Sequence, residues 1–295
     1  MTSENTLHTN LIQSYVALTK PKIILMLLFT ALGGLFLASS GVPDMTTTLV
    51  VLAGGTLASA GANALNQFFD RDIDEAMTRT SNRPVVSGAI SPTHAVAFGI
   101  IVNLIAFIVF LYFTNLLSAA LTLSATLFYV FVYTLGLKRT SHQNIVIGGA
   151  AGAIPPMVGW TAVTGSLGLA PIYLFAIVFF WTPPHFWALA LMLKDDYAKA
   201  NVPMLPVVLG VKETKKAILL YTILMLALTT MFYTTGAVGL IYLITSFLAG
   251  VVFITYAWRL WRQPDILSAK PLYLYSLLYI ALIFLGIMLD SLIKI

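Results

Sequence analysis

The feature that most constrains this chain is a series of apolar runs, each about as long as a membrane is thick. An α-helix needs about 20 apolar residues to cross the hydrocarbon core. Only 9% of the residues are charged, against about 25% in soluble domains. We therefore predict an all-α, polytopic membrane protein, a single domain over 1–295 with nine transmembrane helices. The predicted spans are 21–40, 46–69, 93–114, 116–136, 143–163, 170–192, 216–234, 237–259 and 271–291.

The basic residues lie almost entirely on one side of these spans. If the N-terminus is cytoplasmic, 15 of the 16 basic residues face the cytoplasm and only Lys294 lies outside. The positive-inside rule thus predicts a cytoplasmic N-terminus, with 1–20 as a short polar tail, and a C-terminus outside. Because topology accounts for the net charge of +5, we expect the lipid bilayer and no nucleic acid as a partner. The absence of cysteine excludes disulfides and thiolate metal sites.

Two long loops on the cytoplasmic side, near 70–92 and 193–215, contain seven of the 11 acidic residues. The two loops resemble each other when the chain is shifted by 122 residues. The shift aligns Asp74 with Asp196, Asn63 with His185, Pro84–Val86 with Pro206–Val208 and Gly88 with Gly210. We interpret this as an internal repeat whose two loops face one cavity, because repeat interfaces often contain the sites of membrane bundles.

The second predicted span ends in a polar stripe. Asn66, Asp70 and Asp74 follow at helical spacing, Asn63 comes one turn earlier, and Asp72 points the other way. Two carboxylates one turn apart repel each other, and a divalent cation between them relieves the repulsion. Oxygen ligands in small number favour Mg²⁺. The alternative is a solvated helix end with local Asp–Arg pairs.

Basic residues near these carboxylates predict a metal-bound polyanion. Arg79 and Arg83 lie in the first loop, and guanidinium groups bind phosphates in bidentate fashion. In the second loop, Asp196 or Asp195 could supply a further metal ligand and Lys199 could bind a phosphate oxygen. An ordinary hydrated loop is the alternative for that segment.

The motifs resemble those of the intramembrane aromatic prenyltransferase (UbiA) superfamily. Its first signature, Asn-x3-Asp-x3-Asp, is matched by Asn66, Asp70 and Asp74. Longer strings resemble the haem-farnesylating (haem O synthase) branch. They are Asn-Ala-Leu-Asn-Gln at 63–67, Asp-Arg-Asp-Ile-Asp at 70–74, Met-x-Arg-Thr-x-Asn-Arg-Pro at 77–84, Pro-Pro-His-Phe-Trp-Ala-Leu-Ala at 183–190 and Lys-Asp-Asp-Tyr at 194–197. The second Asp-x3-Asp of branches that prenylate benzoates or naphthoates is missing, since Lys199 and Ala200 stand four residues after Asp195 and Asp196.

The resemblance implies farnesyl transfer from farnesyl diphosphate to a vinyl group of haem B (protohaem IX), with addition of water, giving haem O and diphosphate. It implies Mg²⁺ as cofactor, haem B as substrate, a bacterial inner membrane and an active site on the cytoplasmic side. Product hand-over to haem A synthase or a terminal oxidase is a further expectation. The predicted metal ligands are Asp70, Asp74 and Asp196. The predicted catalytic residues are Asn66, Asp70, Asp74, Arg79 and Arg83. The predicted substrate-binding residues are Asn63, Asp195, Asp196, Lys199, His185, Tyr129 and Tyr133.

Three of these residues also have ordinary structural interpretations. Tyr129 and Tyr133 could stabilise an allylic cation by cation–π attraction, or they could simply pack. His185 lies in an apolar span after Pro183-Pro184, which are expected to interrupt the hydrogen-bond ladder of the helix. Axial ligation of haem iron would explain a histidine there. A hydrogen bond to a backbone carbonyl freed by the prolines is the alternative.

Other functions remain as alternatives. Within enzymes, the substrate could be a quinone precursor or a chlorin. A membrane transporter would also explain intramembrane carboxylates and a repeat, but it predicts polar residues at mid-membrane in both halves. The carboxylates of this chain instead lie at helix ends on one side.

Overall fold

The structure is a computed structural model that describes residues 11–293. Over that range the chain is all-α, with no β-strand. Nine of the helices described are long and apolar enough to cross a membrane, so the predicted fold class is confirmed. They are Pro21–Ser39, Met45–Phe69, Pro92–Phe113, Leu116–Thr140, Asn144–Thr164, Leu169–Met192, Gly210–Thr235, Leu240–Arg262 and Ala269–Ile293.

The predicted polar tail is wrong where the structure describes it. Leu11–Thr19 forms an amphipathic helix, α1, which buries Leu18 and leaves Leu11 and Val16 exposed. The face that packs on the protein carries Ser14 and Leu18, while the opposite, largely apolar face stays exposed. Residues 1–10 of the predicted tail lie outside the described residues, as does Lys294 of the topology argument.

The first span, α2 (Pro21–Ser39), is packed tightly against α9 (Pro155–Thr164). A Cβ atom on Gly34 would come within 2.0 Å of the Pro156 carbonyl oxygen, and one on Gly159 within 2.0 Å of the Ala31 carbonyl oxygen. Only glycine permits such close backbone contact, which is how small residues drive helix association in lipid. The pairing fixes α2 and therefore Lys20, which precedes it.

The sixth span, α10 (Leu169–Met192), passes through Pro183 and Pro184 without a break. The prolines remove two backbone N–H groups from the hydrogen-bond ladder, as predicted, but the helix continues past them. Both prolines are buried, and α10 packs against helices on several sides, which compensates for the missing hydrogen bonds.

The predicted span at 216–234 begins earlier, because α13 (Gly210–Phe232) includes Lys215 in its second turn. The Lys215 ammonium group is buried and donates to the carbonyl oxygens of Gln263, at 2.8 Å, and Asp265, at 2.5 Å. Gln263 directly follows α14 (Leu240–Arg262). This lysine, predicted as part of a loop, thus joins the start of one span to the end of the next.

The two acidic loops lie at the same end of the bundle, which we call the acidic end. A six-residue helix follows each preceding span: α4 (Arg71–Ala76) follows α3 (Met45–Phe69), and α11 (Lys194–Lys199) follows α10. The Thr78 hydroxyl donates to Asp196 Oδ1 at 3.2 Å and so joins the two loops. Gly88 and Gly210 both adopt positive φ, 76° and 82°. The backbone therefore supports the internal repeat.

Candidate functional site

The polar stripe at the end of α3 is buried along one face. Asn66, Asp70 and Asp74 are at most 2% exposed. Helical geometry continues across the junction with α4, because the Asp74 N–H donates to the Asp70 carbonyl oxygen at 2.8 Å. The Asp72 side chain, by contrast, is 61% exposed and pairs with Arg139 at 2.6 Å. The structure thus has the arrangement that the spacing predicts.

Each buried carboxylate is paired with a cation. Asp70 Oδ2 accepts from the Lys138 ammonium group at 2.5 Å and from the Asn66 amide at 2.6 Å. One guanidinium nitrogen of Arg83 lies 2.7 Å from Asp74 Oδ1 and 2.6 Å from Oδ2. The pairs offset the cost of burying two like charges side by side.

Lys20 is a third cation in this cluster. Its ammonium group donates to Asn66 Oδ1 at 2.7 Å. Burial and, to a smaller extent, the positive charges of Arg83 and Lys138 together lower the pKa of Lys20 to about 7, although Asp70 and Asp74 act to raise it. Three cations therefore surround two carboxylates, which leaves the site with a surplus of positive charge suited to a polyanion.

The position of Lys20 is set by the chain before it. Asn63 donates through its amide to the Thr19 carbonyl oxygen at 2.9 Å, and Gln67 donates to that of Leu18 at 2.9 Å. These bonds satisfy carbonyls at the end of α1 that the helix itself leaves free. Asn63, predicted to bind substrate, instead holds α1 against α3 in this structure.

A π-helical segment, Phe128–Leu137, lies in the fourth span between α6 (Leu116–Leu127) and α7 (Lys138–Thr140). The Thr134 hydroxyl donates to the Tyr129 carbonyl five residues earlier, at 2.9 Å, and accepts from the Asn66 amide at 3.0 Å. The wider π-turn thereby brings Thr134 and Lys138 onto the same face, toward Asn66 and Asp70. Such segments often mark functional positions.

Two aromatic rings border the same segment. Tyr129 and Tyr133 stack with their centroids 5.5 Å apart and their planes at 17°. Both tyrosines are partly buried and lie close enough to Asp70 to interact with its charge. The structure therefore brings both predicted tyrosines to the acidic end of α3.

The second acidic loop is more open. Asp195 is exposed, and Asp196 is half-buried and bonded to Thr78. Lys199 is also exposed and does not lie with Asp70 and Asp74; it lines a surface cavity of about 380 Å³ beside Asp72. Its predicted contact with phosphate has no support in this geometry.

Arg79 occupies the space between the two loops. It is exposed and makes no ion pair among the described residues. Its positive charge acts to lower the pKa of Tyr197, although burial, the larger effect, raises that pKa overall. Arg79 is also hydrogen-bonded to the Tyr197 side chain, whereas Arg83 is paired with the buried carboxylate of Asp74; the exposed Arg79 side chain can still contact a ligand.

The carboxylates fit a magnesium ion in one specific respect. Asp70 Oδ1 is fully enclosed and has no hydrogen-bond partner among the described residues, and a buried oxygen without a partner is costly. An oxygen-only donor set suits Mg²⁺. No group of three or more acidic or histidine side chains that could hold a metal occurs in the described part of the chain. The ligand role of Asp196 therefore stays a prediction.

His185 forms a separate cluster between α10 and α15 (Ala269–Ile293). It is 7% exposed, and its Nδ1 atom lies 2.7 Å from the Ser276 hydroxyl oxygen. The imidazole stacks on Trp181 at 4.4 Å and on Tyr273 at 4.8 Å, centroid to centroid. The alternative partner considered above, a freed backbone carbonyl, is not the one observed.

Sequence reasoning missed Lys20, Lys138 and Ser276. The two lysines were counted as topological markers, because every span end on that side has basic residues. Each lies at a span end on the side of Asp70, but other basic residues do so too, so the sequence does not distinguish them. Ser276 gives no signal in the sequence, since a single serine in an apolar span normally bonds to its own helix.

The sequence model of the UbiA prenyltransferase family matches residues 27–286. A protein of Rippkaea orientalis named protoheme IX farnesyltransferase is 50% identical over 283 residues, which cover 95% of this chain and 88% of that protein. A protein of the same name from Roseiflexus sp. is 47% identical over 281 residues, covering 95% of this chain. This chain spans only 53% of that longer relative.

Solved structures with the same fold are more distant in sequence. A structure of digeranylgeranylglyceryl phosphate synthase covers 97% of this chain with a TM-score of 0.79 at 20% identity, and 100% of that chain is matched. A UbiA homologue from Archaeoglobus fulgidus, bound to DMAPP and Mg²⁺, covers 93% of this chain and 99% of its own with a TM-score of 0.71 at 17% identity. At these identities the likeness shows the fold alone.

Proposed function

The chain belongs to the UbiA prenyltransferase family, and we propose that it transfers the farnesyl group of farnesyl diphosphate to a vinyl group of haem B, with addition of water, giving haem O and diphosphate. Relatives about 50% identical over 95% of the chain bear the name protoheme IX farnesyltransferase. The observation in the structure that carries the proposal is the buried pair Asp70 and Asp74, surrounded by three cations at the acidic end.

Diphosphate binds where the positive charge is in surplus. Lys138, Lys20 and Arg83 lie around the two carboxylates, and Arg79 remains exposed for a further contact. Asp70 and Asp74 would hold Mg²⁺, which would supply positive charge to neutralise the leaving diphosphate. The three cations also stabilise the negative charge that develops on the diphosphate. They do so efficiently because they are already in position before the carbon–oxygen bond breaks.

The allylic cation needs protection from water. Tyr129 and Tyr133 border the site with stacked rings, and aromatic faces stabilise cations. The surrounding helices exclude bulk water until the vinyl carbon attacks. A carbon–carbon bond then forms, water adds to the carbon that becomes positive, and that water loses one proton.

Haem B binds beside His185 through its iron. Among the described spans, His185 is the one buried histidine. A buried polar ring within a membrane indicates a function. This feature favours haem over a quinone precursor, which has no metal for a histidine to bind. Phe186, in edge contact with His185, packs in the same cluster as Ile73 of α4, so the haem lies next to the acidic end.

The protein is a multi-pass membrane protein, and we place it in the bacterial inner membrane. The excess of basic residues at the acidic end puts the active site on the cytoplasmic side. Haem O is apolar enough to remain in the bilayer. It passes from there to haem A synthase or a terminal oxidase.

The proposal is tested with purified protein, farnesyl diphosphate, haem B and Mg²⁺, with the product identified by mass spectrometry. The expected product has the mass of haem B plus a farnesyl group and one hydroxyl group. Turnover should stop with EDTA and return when Mg²⁺ is added. A product in which an aromatic quinone precursor is prenylated, with haem B unchanged, would favour the alternative substrate.

A further inference from the structure

The hydroxyl group of Ser276 links two helices at His185. It lies 2.7 Å from His185 Nδ1, and it also donates to the Tyr273 carbonyl oxygen at 2.6 Å. Ser276 is fully buried. No other hydrogen bond to the His185 ring occurs among the described residues.

A serine hydroxyl has one proton, so the two contacts fix the direction of both hydrogen bonds. If that proton goes to the Tyr273 carbonyl, the oxygen must accept from His185, and Nδ1 carries the ring proton. The reverse arrangement would leave the carbonyl contact without a donor. Because the neutral form costs least for a ring with no carboxylate partner in an apolar span, Nε2 then has no proton and its lone pair is free.

Three aromatic rings surround the imidazole, of which Trp181 and Tyr273 stack on it and Phe186 contacts it edge to face. Trp181 covers one face at an interplanar angle of 18°, and Tyr273 stacks at 23°. The Trp181 indole nitrogen donates to the Ser276 carbonyl oxygen at 2.8 Å, which fixes Trp181 relative to α15. Nδ1 is used by Ser276. The edge with Nε2 therefore remains, and Nε2 is not among the fully enclosed polar atoms without a partner.

We propose that Ser276 is a positioning residue for haem: it holds His185 in the Nδ1-protonated form and directs the free Nε2 lone pair at the haem iron. This inference rests on the haem ligation assigned to His185 in the proposed function. A hydrogen bond from Nδ1–H to an acceptor also makes the imidazole a stronger ligand, as in other histidine metal sites. Fixing the ring fixes the haem plane and thereby the position of the reacting vinyl group.

The first measurement separates iron ligation from the shape of the pocket. Haem B and iron-free protoporphyrin IX are titrated into the protein and into His185→Ala. We expect haem affinity to fall about 10- to 100-fold in the variant, while protoporphyrin affinity changes little. Equal losses for both, or no loss for haem, would contradict iron ligation and overturn this inference with it, even if farnesyl transfer itself were detected.

The second measurement concerns Ser276 itself and uses the iron–histidine stretching band in resonance Raman spectra of the reduced haem complex. Ser276→Ala should move this band to lower wavenumber and weaken haem affinity about 10-fold. Ser276→Thr, which keeps a hydroxyl, should retain the wild-type band. Ser291→Ala is the matched control, because Ser291 is buried on the same helix and bonds only to the Ile287 carbonyl.

Ser276→Cys keeps nearly the same shape but replaces the hydroxyl with a weak acceptor. It is the substitute variant if Ser276→Ala folds poorly. The iron–histidine band of Ser276→Cys should also move to lower wavenumber. A band that stays unchanged in Ser276→Ala and Ser276→Cys, while His185→Ala loses it, would overturn the role of Ser276 and leave haem ligation intact. Binding of farnesyl diphosphate should be the same in every variant, since the cluster is separate from Asp70 and Asp74.

Discussion

The two acidic segments of the chain share a backbone and differ in nearly every polar side chain. In both, a membrane span is followed by a six-residue helix, and a glycine with positive φ comes 14 residues after an aligned aspartate. The first segment buries Asp70 and Asp74 with their cations, whereas the second leaves Asp195 exposed and Asp196 half-buried. The same scaffold has therefore become a charged site in one copy only.

The substitutions across the repeat explain this difference. The shift of 122 residues places Met192 opposite Asp70 and Ala188 opposite Asn66, so the second copy lacks most of the stripe. It has His185 where the first has Asn63. In the proposed function the first copy binds the diphosphate and the second binds the haem. On that proposal, a few polar exchanges between two related helix ends are enough for them to bind two different substrates.

The largest effect is expected from the buried carboxylates of the first segment. Asp70→Asn and Asp74→Asn should each lower kcat/KM by at least about 10³-fold, because each removes a charge that holds the metal. Initial rates of farnesyl transfer test this. Asp72→Asn, in the same turn but facing outward, is the matched control and should stay near wild type. Near-normal turnover by Asp70→Asn would exclude the site.

The next prediction compares Lys138, which contacts the first segment, with Lys199 of the second segment. Lys138→Met should lower kcat/KM by about 10²-fold, because Lys138 is paired with Asp70 inside the site. Lys199→Met should change it less than about twofold, since Lys199 lies at the surface beside Asp72. Steady-state kinetics with varied farnesyl diphosphate compare the two. An equal loss of kcat/KM in Lys138→Met and Lys199→Met would mean that both loops bind the diphosphate.

A smaller effect is expected from the aspartates of the second segment. Asp196→Asn should reduce kcat/KM about 2- to 10-fold, because the bond that it weakens joins the two loops through Thr78. Asp195→Asn, one residue away and exposed, should have almost no effect. Metal titration of the initial rate is the sharper measurement. A large rise in the Mg²⁺ requirement of Asp196→Asn would establish it as the third metal ligand.

The smallest effect concerns the outward-facing pair Asp72 and Arg139. The hydrogen bonds from Arg139 lower the pKa of Asp72 to about 2, so the stabilisation is complete above the ordinary aspartate pKa and is lost as the pH falls through about 2. Because both side chains are substantially exposed, the Asp72–Arg139 pair stabilises the folded state by only about 0.2–1 kcal/mol. Thermal unfolding of wild type and Asp72→Asn in detergent should differ at pH 6 and differ less at pH 3.

The sequence by itself determined the nine spans, because apolar length reports directly on crossing a bilayer. It also determined the buried stripe of Asn66, Asp70 and Asp74, since helical periodicity is a local property. The unusual His185 could likewise be read from its own segment, whereas the repeated loop needed only a comparison of the sequence with itself. These features depend on neighbours within a few turns, and the structure departs from them only at span ends and at the short helix α1.

Only the tertiary structure decided which partners meet. Lys20 reaches Asn66 across 46 residues of sequence, Lys138 reaches Asp70 across 68, and Ser276 reaches His185 across 91. Fifteen basic residues of the described chain share one side by topology alone, so charge patterning could not distinguish Lys20 and Lys138, which enter the site, from the others. Close helix packing and the π-helical segment made that selection, because the side chains that converge depend on the distance and rotation of helices far apart in sequence.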